Sequence, residues 1–219
     1  MTALTKSLLD ASEAIKNVST RLSNNDVEHS LSLLEKCSKL GGKLVISGVG
    51  KSGIVARKIA ATFSSFGLTS IYLNPLDALH GDLGVLSSKD LCILISNSGE
   101  TEELISLIPH IKKRQIPIIS MVGRRNSYIS KNSEVNLESF VSRETCPLNL
   151  APTTSTSVAM AIGDALAITW IERKGVSNYD FAINHPAGSL GKRLTITSQD
   201  LMIAKENLNP LIKSSSLQE

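Results

Sequence analysis

The sequence predicts an α/β protein in which helices cover both faces of a parallel sheet. Short apolar stretches typical of strands alternate along the chain with longer stretches typical of helices. The first apolar stretch, residues 44–47, runs directly into a glycine-rich turn and then into a long helical stretch. With 219 residues, the chain is long enough for one such domain and short for two.

Two helices are predicted ahead of the first strand. Residues 4–22 carry apolar side chains at steps of three and four, which is the spacing of one helical face. A second helix follows, in which Val27, Leu31 and Leu34 continue this pattern and Asp26 is a candidate N-cap. Both apolar faces must be buried, either on the sheet domain or on a partner subunit.

The remaining elements alternate in order. After the first strand, further strands are predicted at residues 70–73, 91–96, 116–122 and 134–137. The helices that separate and follow them are predicted at residues 52–66, 101–114, 153–174 and 178–183. From residue 198 the chain becomes polar and irregular. Ligands of parallel sheets bind beyond the carboxyl ends of the strands, so the turns at those ends are the expected location of a site.

Composition argues against several classes of protein. The formal net charge is only +3 and aromatic residues make up 4% of the chain, which disfavours a nucleic-acid partner. Three scattered cysteines fit neither a disulfide framework nor a zinc site. The N-terminus has no hydrophobic signal segment, and no apolar run reaches membrane-spanning length. We therefore expect a cytoplasmic protein without a membrane partner.

The turn after the first strand has the composition of an anion site. Its glycines allow positive φ angles and a close backbone approach, and the N–H groups of the next helix point into the turn. A phosphate is the expected guest, and Lys51 and Ser52 add a positive charge and a hydroxyl beside Gly50. The alternative is a plain strand-to-helix connection, which a lysine buried among three glycines disfavours.

Two nucleotide-binding loops share part of this pattern. The phosphate loop of NTPases requires a glycine where this chain has Val45, inside the strand, which rules it out. The dinucleotide fingerprint is formally satisfied by Gly48, Gly50 and Gly53. That fingerprint also needs an acidic residue at the end of the next strand, where this chain has Asn74. NAD binding is therefore the weaker alternative.

Two further turns place hydroxyl groups at the starts of helices. One follows the strand at 91–95, and the other, at residues 153–156, opens the most apolar helix of the chain. Hydroxyls and free helix N–H groups can hold a phosphate, whereas ordinary helix capping accounts for only one or two of these residues. The candidate phosphate-binding residues in these turns are Ser96, Asn97, Ser98, Thr101, Thr153, Thr154 and Ser155.

Three ionisable side chains lie in loops rather than on apolar faces. Glu144 shortly precedes the helix predicted at 153–174, although a lone loop glutamate is usually a solvated surface residue. His80 and His185 each lie in a loop that contains glycine. Their positions make these three residues candidates for a role in chemistry.

Several motifs occur together in a fixed order. They are Gly-Val-Gly-Lys-Ser-Gly at 48–53, Asp-Ala-Leu-His-Gly-Asp at 77–82, Ile-Ser-Asn-Ser-Gly-Glu-Thr at 95–101, Cys-Pro-Leu-x-Leu-Ala-Pro-Thr at 146–153, Gly-Asp-Ala-Leu-Ala at 163–167, and His185 with Pro186. Across residues 40–200 they resemble the D-arabinose 5-phosphate isomerases of the sugar-isomerase (SIS) superfamily. The resemblance implies a three-layer fold around a five-stranded parallel sheet. It also implies interconversion of D-ribulose 5-phosphate and D-arabinose 5-phosphate, toward the Kdo sugar of lipopolysaccharide.

By the same resemblance, the catalytic residues are Lys51, Glu103, Glu144 and His185. The proton-shuttling base is then Glu144, while Lys51 stabilises charge on the enediolate oxygen. The two histidines, His80 and His185, are suited to moving hydroxyl protons, and Glu103 orients Lys51 or a histidine. The scheme needs no cofactor and no metal.

Two positions depart from the family pattern. Asn74 stands where family members commonly have a histidine implicated in inhibitory zinc binding, which weakens any metal site. Many members continue into two CBS modules, and residues 199–202 look like the linker into such a module. We expect N-terminal helices at 1–40, the isomerase domain at 41–197 and a linker-like tail at 198–219.

Two other functions remain open: an isomerase for a different phosphosugar, and a sugar-phosphate sensor without catalysis. A sensor needs the phosphate turns but not Lys51, Glu144 and His185 together, so all three favour catalysis. In this superfamily the histidine near the C-terminus often enters the neighbouring subunit's site. We therefore expect a homo-oligomer, a dimer or a tetramer, with a shared active site and a phosphosugar substrate.

Overall fold

The computed structural model describes residues 2–203, apart from the side chains of Ser189 and Leu190. The contacts divide the chain into two compact units, the first ending at Val176 and the second beginning at Ser177. The first unit contains the sheet and its covering helices. The predicted tail lies mostly outside the described residues, although its first residues form a short helix instead of irregular chain.

A five-stranded parallel sheet forms the centre of the first unit. Its strands are β1 (Leu44–Gly48), β2 (Ser70–Leu73), β3 (Leu91–Ser96), β4 (Ile118–Val122) and β5 (Val135–Glu138). They lie in the order β2-β1-β3-β4-β5, and every neighbouring pair is parallel. The α/β class and the parallel, five-stranded sheet are therefore confirmed.

Helices precede the sheet and connect its strands. The first unit contains α1 (Ala3–Arg21), α2 (Asn24–Lys39), α3 (Gly50–Ser65), α4 (Pro75–Leu79), α5 (Glu102–Lys113), α6 (Tyr128–Lys131) and α7 (Thr154–Lys174). A 3-10 helix lies at Asp82–Val85. The second unit contains α8 (Asn178–Ile183), α9 (Ser189–Thr195) and α10 (Ser198–Leu201).

The structure corrects the sequence prediction at several element boundaries. Asp26 is not the N-cap of α2; Ser23 is, because its Oγ accepts the N–H of Asp26 at 3.4 Å. β4 begins at Ile118 instead of residue 116, since Pro117 has no N–H to donate to a ladder. Helices α4, α6, α9 and α10 are absent from the prediction. Each has seven residues or fewer, and of the described α-helices this short only α8 is predicted.

Alternate strand residues pack against helices on opposite faces of the sheet. On one face, Ile46 belongs to a buried cluster with Phe63 of α3 and Trp170 of α7, together with residues of α1 and α2. On the other, Val45 belongs to a second cluster with Leu107 of α5. Burial on both faces is why the three central strands β1, β3 and β4 are almost continuously apolar, whereas the edge strand β5 alternates. The predicted three-layer arrangement is confirmed.

Gly163 allows close contact between α3 and α7. A Cβ on Gly163 would lie 2.2 Å from Cδ1 of Ile59, a fully buried residue of α3. Beside this contact, Lys58 and Thr62 of α3 donate hydrogen bonds to the carboxylate of Asp164 in α7. Glycine is therefore required here for the spacing between two helices.

Helix α7 departs from one expectation about composition. Its 21 residues are long and apolar enough to cross a membrane, so the expectation that no apolar run reaches that length is wrong. Half of the apolar stretch is buried inside the protein, and the helix packs against α1, α2 and α3. The apolar composition of α7 is accounted for by its place in the core.

Asp90, just before β3, is a buried carboxylate with a full set of donors. The N–H and Nζ of Lys43 lie 3.0 and 2.6 Å from its oxygens, and the N–H and Oγ of Ser87 lie 2.8 and 2.9 Å away. Burial alone would raise the pKa of Asp90, but these hydrogen bonds outweigh it and lower the pKa. The carboxylate thus joins the start of β3 to the residue that precedes β1.

We expect Asp90→Asn to lower the free energy of unfolding by about 3 kcal/mol at pH 7, because it leaves the Lys43 ammonium without its buried partner. Urea unfolding measures this value. Asp164→Asn is the control, since its pair with Lys58 is 41% exposed on both sides and contributes at most about 1 kcal/mol. The difference from wild type should shrink as the pH falls through the lowered pKa of Asp90. Equal losses for both variants would contradict the prediction.

Candidate active site

The turn between β1 and α3 has the geometry that its glycines predict. Gly50 has a φ of +57°, and a Cβ on Gly53 would lie 2.7 Å from the carbonyl oxygen of Gly48. The strand and the helix therefore approach more closely than side chains would permit. The side chain of Lys51 is exposed instead of buried among the glycines, and Ser52 is half-buried in the first turn of α3.

A crevice is expected between β1 and β3. These strands are neighbours in the sheet although β2 lies between them in sequence, so the connections that follow them leave in opposite directions. Ser52, Asn97 and Ser155 line a cavity of about 40 Å³ beyond these strand ends. The fold thus brings together predicted site residues from three separate turns.

The turn between β3 and α5 is held by its own hydroxyl groups. The Oγ of Ser96 lies 2.7 Å from Oγ1 of Thr101 and accepts the N–H of Gly99 at 2.9 Å, while the Oγ of Ser98 accepts the N–H of Glu100 at 3.1 Å. Gly99 has a φ of +69°. Thr101 precedes α5, but its side chain does not cap the helix. Ordinary capping therefore does not explain this run of hydroxyls.

Glu144 is buried, with 8% of its surface exposed, and its carboxylate lies at the N-terminus of α7. Its Oε2 accepts hydrogen bonds from the N–H and Oγ1 of Thr153, at 2.8 and 3.1 Å, and from the N–H of Ser155 at 3.1 Å. Its Oε1 accepts a hydrogen bond from the Oγ of Ser155. Burial alone would raise the pKa of Glu144, but the hydrogen bonds from Ser155 and Thr153 outweigh it and lower the pKa.

This geometry overturns the view of Glu144 as an ordinary surface glutamate. Its main chain is fixed as well, because its N–H donates to Oδ1 of Asn149 at 2.7 Å. The donors of Thr153 and Ser155, predicted to hold a phosphate, serve a carboxylate of the same chain. The hydroxyl of Thr154 accepts the N–H of Thr145 at 2.9 Å. Phosphate contacts by Thr153, Thr154 and Ser155 stay a prediction. In the structure, their side chains form hydrogen bonds within the chain instead.

A larger cavity of about 330 Å³ joins Glu144 to the turn after β3. Asn97 and Ser98 line one side of it, and the arginines Arg124 and Arg143 contribute two positive charges. Sequence reasoning missed both arginines. The available signal for Arg124 is its position two residues beyond the carboxyl end of β4, at the same edge of the sheet as the predicted turns.

Other predicted site residues lie outside these two cavities. His80 is exposed at the end of α4, and Glu103 is half-buried in the first turn of α5. Within the described residues, no hydrogen bond or ion pair joins His80, Glu103 or Lys51 to Glu144. No cluster of three metal-binding side chains occurs among residues 2–203. The absence of a metal or cofactor from the reaction stays a prediction.

His185 belongs to the second unit and has a defined orientation. Its Nδ1 lies 2.8 Å from the carbonyl oxygen of Phe181, and the two rings stack with centroids 4.0 Å apart. Since a carbonyl oxygen only accepts, Nδ1 carries the proton, and Nε2 of a neutral ring is left as the acceptor. The ring is therefore in the tautomer that can take a proton at Nε2.

Comparison with known proteins agrees with the fold and the motifs. The SIS domain family matches residues 39–169. Arabinose 5-phosphate isomerase KpsF of Escherichia coli is 45% identical over 92% of this chain, and arabinose 5-phosphate isomerase KdsD of Pseudomonas aeruginosa is 46% identical over 80%. The chain spans only 61% and 54% of the length of these two relatives.

Solved structures show the same fold. An Escherichia coli protein in complex with arabinose 5-phosphate is 36% identical, with a TM-score of 0.78 over 84% of this chain and 95% of that one. A protein from Listeria monocytogenes is named as a sugar-phosphate isomerase, although the name does not rest on an established activity. It is 30% identical to this chain, with a TM-score of 0.81 over 84% of this chain and 95% of that one. The chain belongs to the SIS domain family.

Proposed function

We propose that the protein is an aldose–ketose isomerase that interconverts D-ribulose 5-phosphate and D-arabinose 5-phosphate through an enediol. The observation that carries the proposal is Glu144, which has a buried, ionised carboxylate and lines one cavity with Asn97 and Ser98 of a hydroxyl-rich turn. That arrangement offers a base, Glu144, and a phosphate anchor, the turn with Asn97 and Ser98, around the same cavity. The curated relatives are named for this reaction, and an Escherichia coli neighbour binds this sugar phosphate.

The turns after β1 and β3 hold the phosphate in this proposal. Gly50, Ser52, Ser96, Asn97, Ser98 and Thr101 are the residues that line or brace these turns. The N-terminal N–H groups of α3 and α5 add the positive ends of two helix dipoles. Anchoring at the phosphate fixes the reacting carbons relative to the base, which removes much of the entropic part of the barrier.

Glu144 then moves the carbon-bound proton. It removes the proton from C1 of the ketose, forms the enediol, and returns the proton to C2 of the aldose. Its lowered pKa keeps it ionised, and so able to accept a proton, at neutral pH. Lys51 stabilises the enediolate oxygen, His80 and His185 transfer the hydroxyl protons, and Glu103 orients Lys51 or a histidine.

One assay separates the proposal from its alternatives. The protein is incubated with ribulose 5-phosphate and with a panel of other phosphosugars, and products are followed by NMR. Conversion of ribulose 5-phosphate alone supports the proposal, conversion of another sugar phosphate supports a different isomerase, and binding without any product supports a sensor. Repeating the assay in EDTA tests the metal-free scheme, which requires an unchanged rate. On this proposal the enzyme acts in the cytoplasm, toward the Kdo sugar of lipopolysaccharide.

The helix α1 supports a proposed homo-oligomer, either a dimer or a tetramer. Of its apolar residues only Val18 is buried, whereas Leu4, Leu8 and Leu9 are 72%, 65% and 52% exposed. The C-terminal part of the predicted apolar face packs on the domain through Val18 and Leu22, whereas apolar side chains nearer the N-terminus of α1 are left exposed, and a second copy of the chain would cover them.

We expect subunit mixing to restore activity if the active site is shared between subunits. His185→Ala and Glu144→Gln proteins are each inactive on this proposal. After subunit exchange, some interfaces combine an intact His185 with an intact Glu144, and part of the activity returns. Two inactive proteins that stay inactive after verified exchange would show that each chain holds its own complete site, and a monomeric mass would exclude the oligomer.

A further inference from the structure

At the start of α7, the two carboxylate oxygens of Glu144 accept different numbers of hydrogen bonds. Oε2 of Glu144 accepts three hydrogen bonds, from two donors of Thr153 and from the N–H of Ser155. Oε1 accepts one, from the Oγ of Ser155, among the described residues. A carboxylate oxygen has about two lone-pair sites, so Oε2 is filled and Oε1 keeps one free.

We propose that Ser155 and Thr153 are positioning residues for Glu144, which fix its carboxylate so that Oε1 is the oxygen that exchanges a proton with the substrate. The inference rests on the proposed function and deepens it. It reassigns two residues whose sequence context suggests phosphate binding. It also places the phosphate at the turns after β1 and β3, since the start of α7 is occupied by a carboxylate of the chain itself.

Burial makes these hydrogen bonds hard to replace. Ser155 is 5% exposed and Glu144 is 8% exposed, so water has little access to the carboxylate from the helix side. A donor lost from a buried charged group is therefore not replaced at full strength by solvent. The main chain of Glu144 is fixed independently by Asn149. The carboxylate is thus oriented from both ends of the residue, as a base that must meet a carbon-bound proton requires.

Ser155 both binds the carboxylate of Glu144 and lines a cavity, whereas Thr153 binds the carboxylate but lines neither cavity. Ser155 lines the small cavity with Ser52 and Asn97, while Glu144, whose carboxylate it binds, lines the larger cavity. Among the described residues, two arginines line the larger cavity with Glu144: Arg124, and Arg143, whose Nε donates to the carbonyl oxygen of Glu144 at 3.3 Å. Substitution of Ser155 leaves both arginines in place, so its effect reports on the lost hydroxyl.

The first test compares two serine-to-alanine variants in the same turn of α7. The hydroxyl of Ser157 is exposed and donates to the carbonyl oxygen of Thr153 at 3.0 Å, so Ser157→Ala is the matched control. We expect Ser155→Ala to lower kcat by about 10- to 100-fold with KM nearly unchanged. We also expect the acidic limb of its pH–kcat profile to move to higher pH, because the carboxylate has lost a donor. Ser157→Ala should change neither.

The second test does not depend on activity. In carbon-13 NMR, the carboxyl signal of Glu144, assigned with Glu144→Gln, should titrate at higher pH in Ser155→Ala than in wild type. Thr153→Val, which replaces a hydroxyl by a methyl group, should shift the titration of Glu144 in the same direction. This variant provides the test if Ser155→Ala does not fold. Unchanged titration in folded variants would overturn the inference. If the shift is seen but no phosphosugar is isomerised, the positioning stands and the proposed function fails.

Discussion

Glu144→Gln is expected to lower kcat for the interconversion of the two pentose phosphates by about 10²–10⁴-fold, with little change in KM. This loss corresponds to about 3–5 kcal/mol in the activation barrier. Glutamine has the same size, and its amide oxygen can still accept the N–H groups of Thr153 and Ser155. It cannot accept the carbon-bound proton. Initial rates in both directions, measured with saturating substrate, give the effect.

A matched control separates the base from general changes of charge. Glu102→Gln makes the same substitution at an exposed residue in the first turn of α5, which lines neither cavity. Its kcat should equal that of wild type. If Glu144→Gln retains kcat within a few-fold of wild type, Glu144 is not the base. A large rise in KM with unchanged kcat would instead assign it to substrate binding.

Arabinose is expected to bind at least about 100-fold more weakly than arabinose 5-phosphate. Two hydrogen bonds to a charged phosphate, at about 1.5–3 kcal/mol each, are enough for a loss of this size. The donors are the hydroxyls and helix N–H groups of the turns after β1 and β3, where Ser52, Asn97 and Ser98 border the cavities. Calorimetry with the Glu144→Gln protein measures both affinities while turnover is strongly slowed.

The same experiment locates the phosphate. Ser98→Ala should weaken binding of the sugar phosphate but not of arabinose. Ser106→Ala, whose hydroxyl donates to the carbonyl oxygen of Glu102 further along α5, should leave both unchanged. Inorganic phosphate should compete with the sugar phosphate for the site. Added salt should weaken the binding of inorganic phosphate and of the sugar phosphate. Equal affinities for arabinose and arabinose 5-phosphate would show that these turns do not hold a phosphate.

Most of the fold is encoded locally and is therefore accessible from the sequence. Residues 70–73 and 91–96 are predicted as strands with the observed bounds, because each apolar run is bordered by polar or turn residues. The order of the strands is not encoded in this way. It depends on which neighbours each strand meets in the folded sheet, and a period of two residues carries no information about that.

The site was predictable only in part for the same reason. The glycines around Lys51 and the hydroxyls at residues 96–101 mark their turns directly in the sequence. The state of Glu144 depends on donors nine and eleven residues further along, which only the path of the loop brings to its carboxylate. Arg124 enters the cavity from yet another strand end. Such convergence of separate turns has no signature in local spacing.

The contact between Ile59 and Gly163 has a consequence for substrate choice. Ile59 lies seven residues beyond Ser52 in α3, and Gly163 lies eight residues beyond Ser155 in α7, so the contact is about 10–12 Å from both ends of the crevice. The distance between the two helix ends, and hence the width of the crevice, depends in part on this contact in the helix core. On the proposed function, a substitution at either residue is therefore expected to change which phosphosugars fit, without any change in the turns that border the crevice.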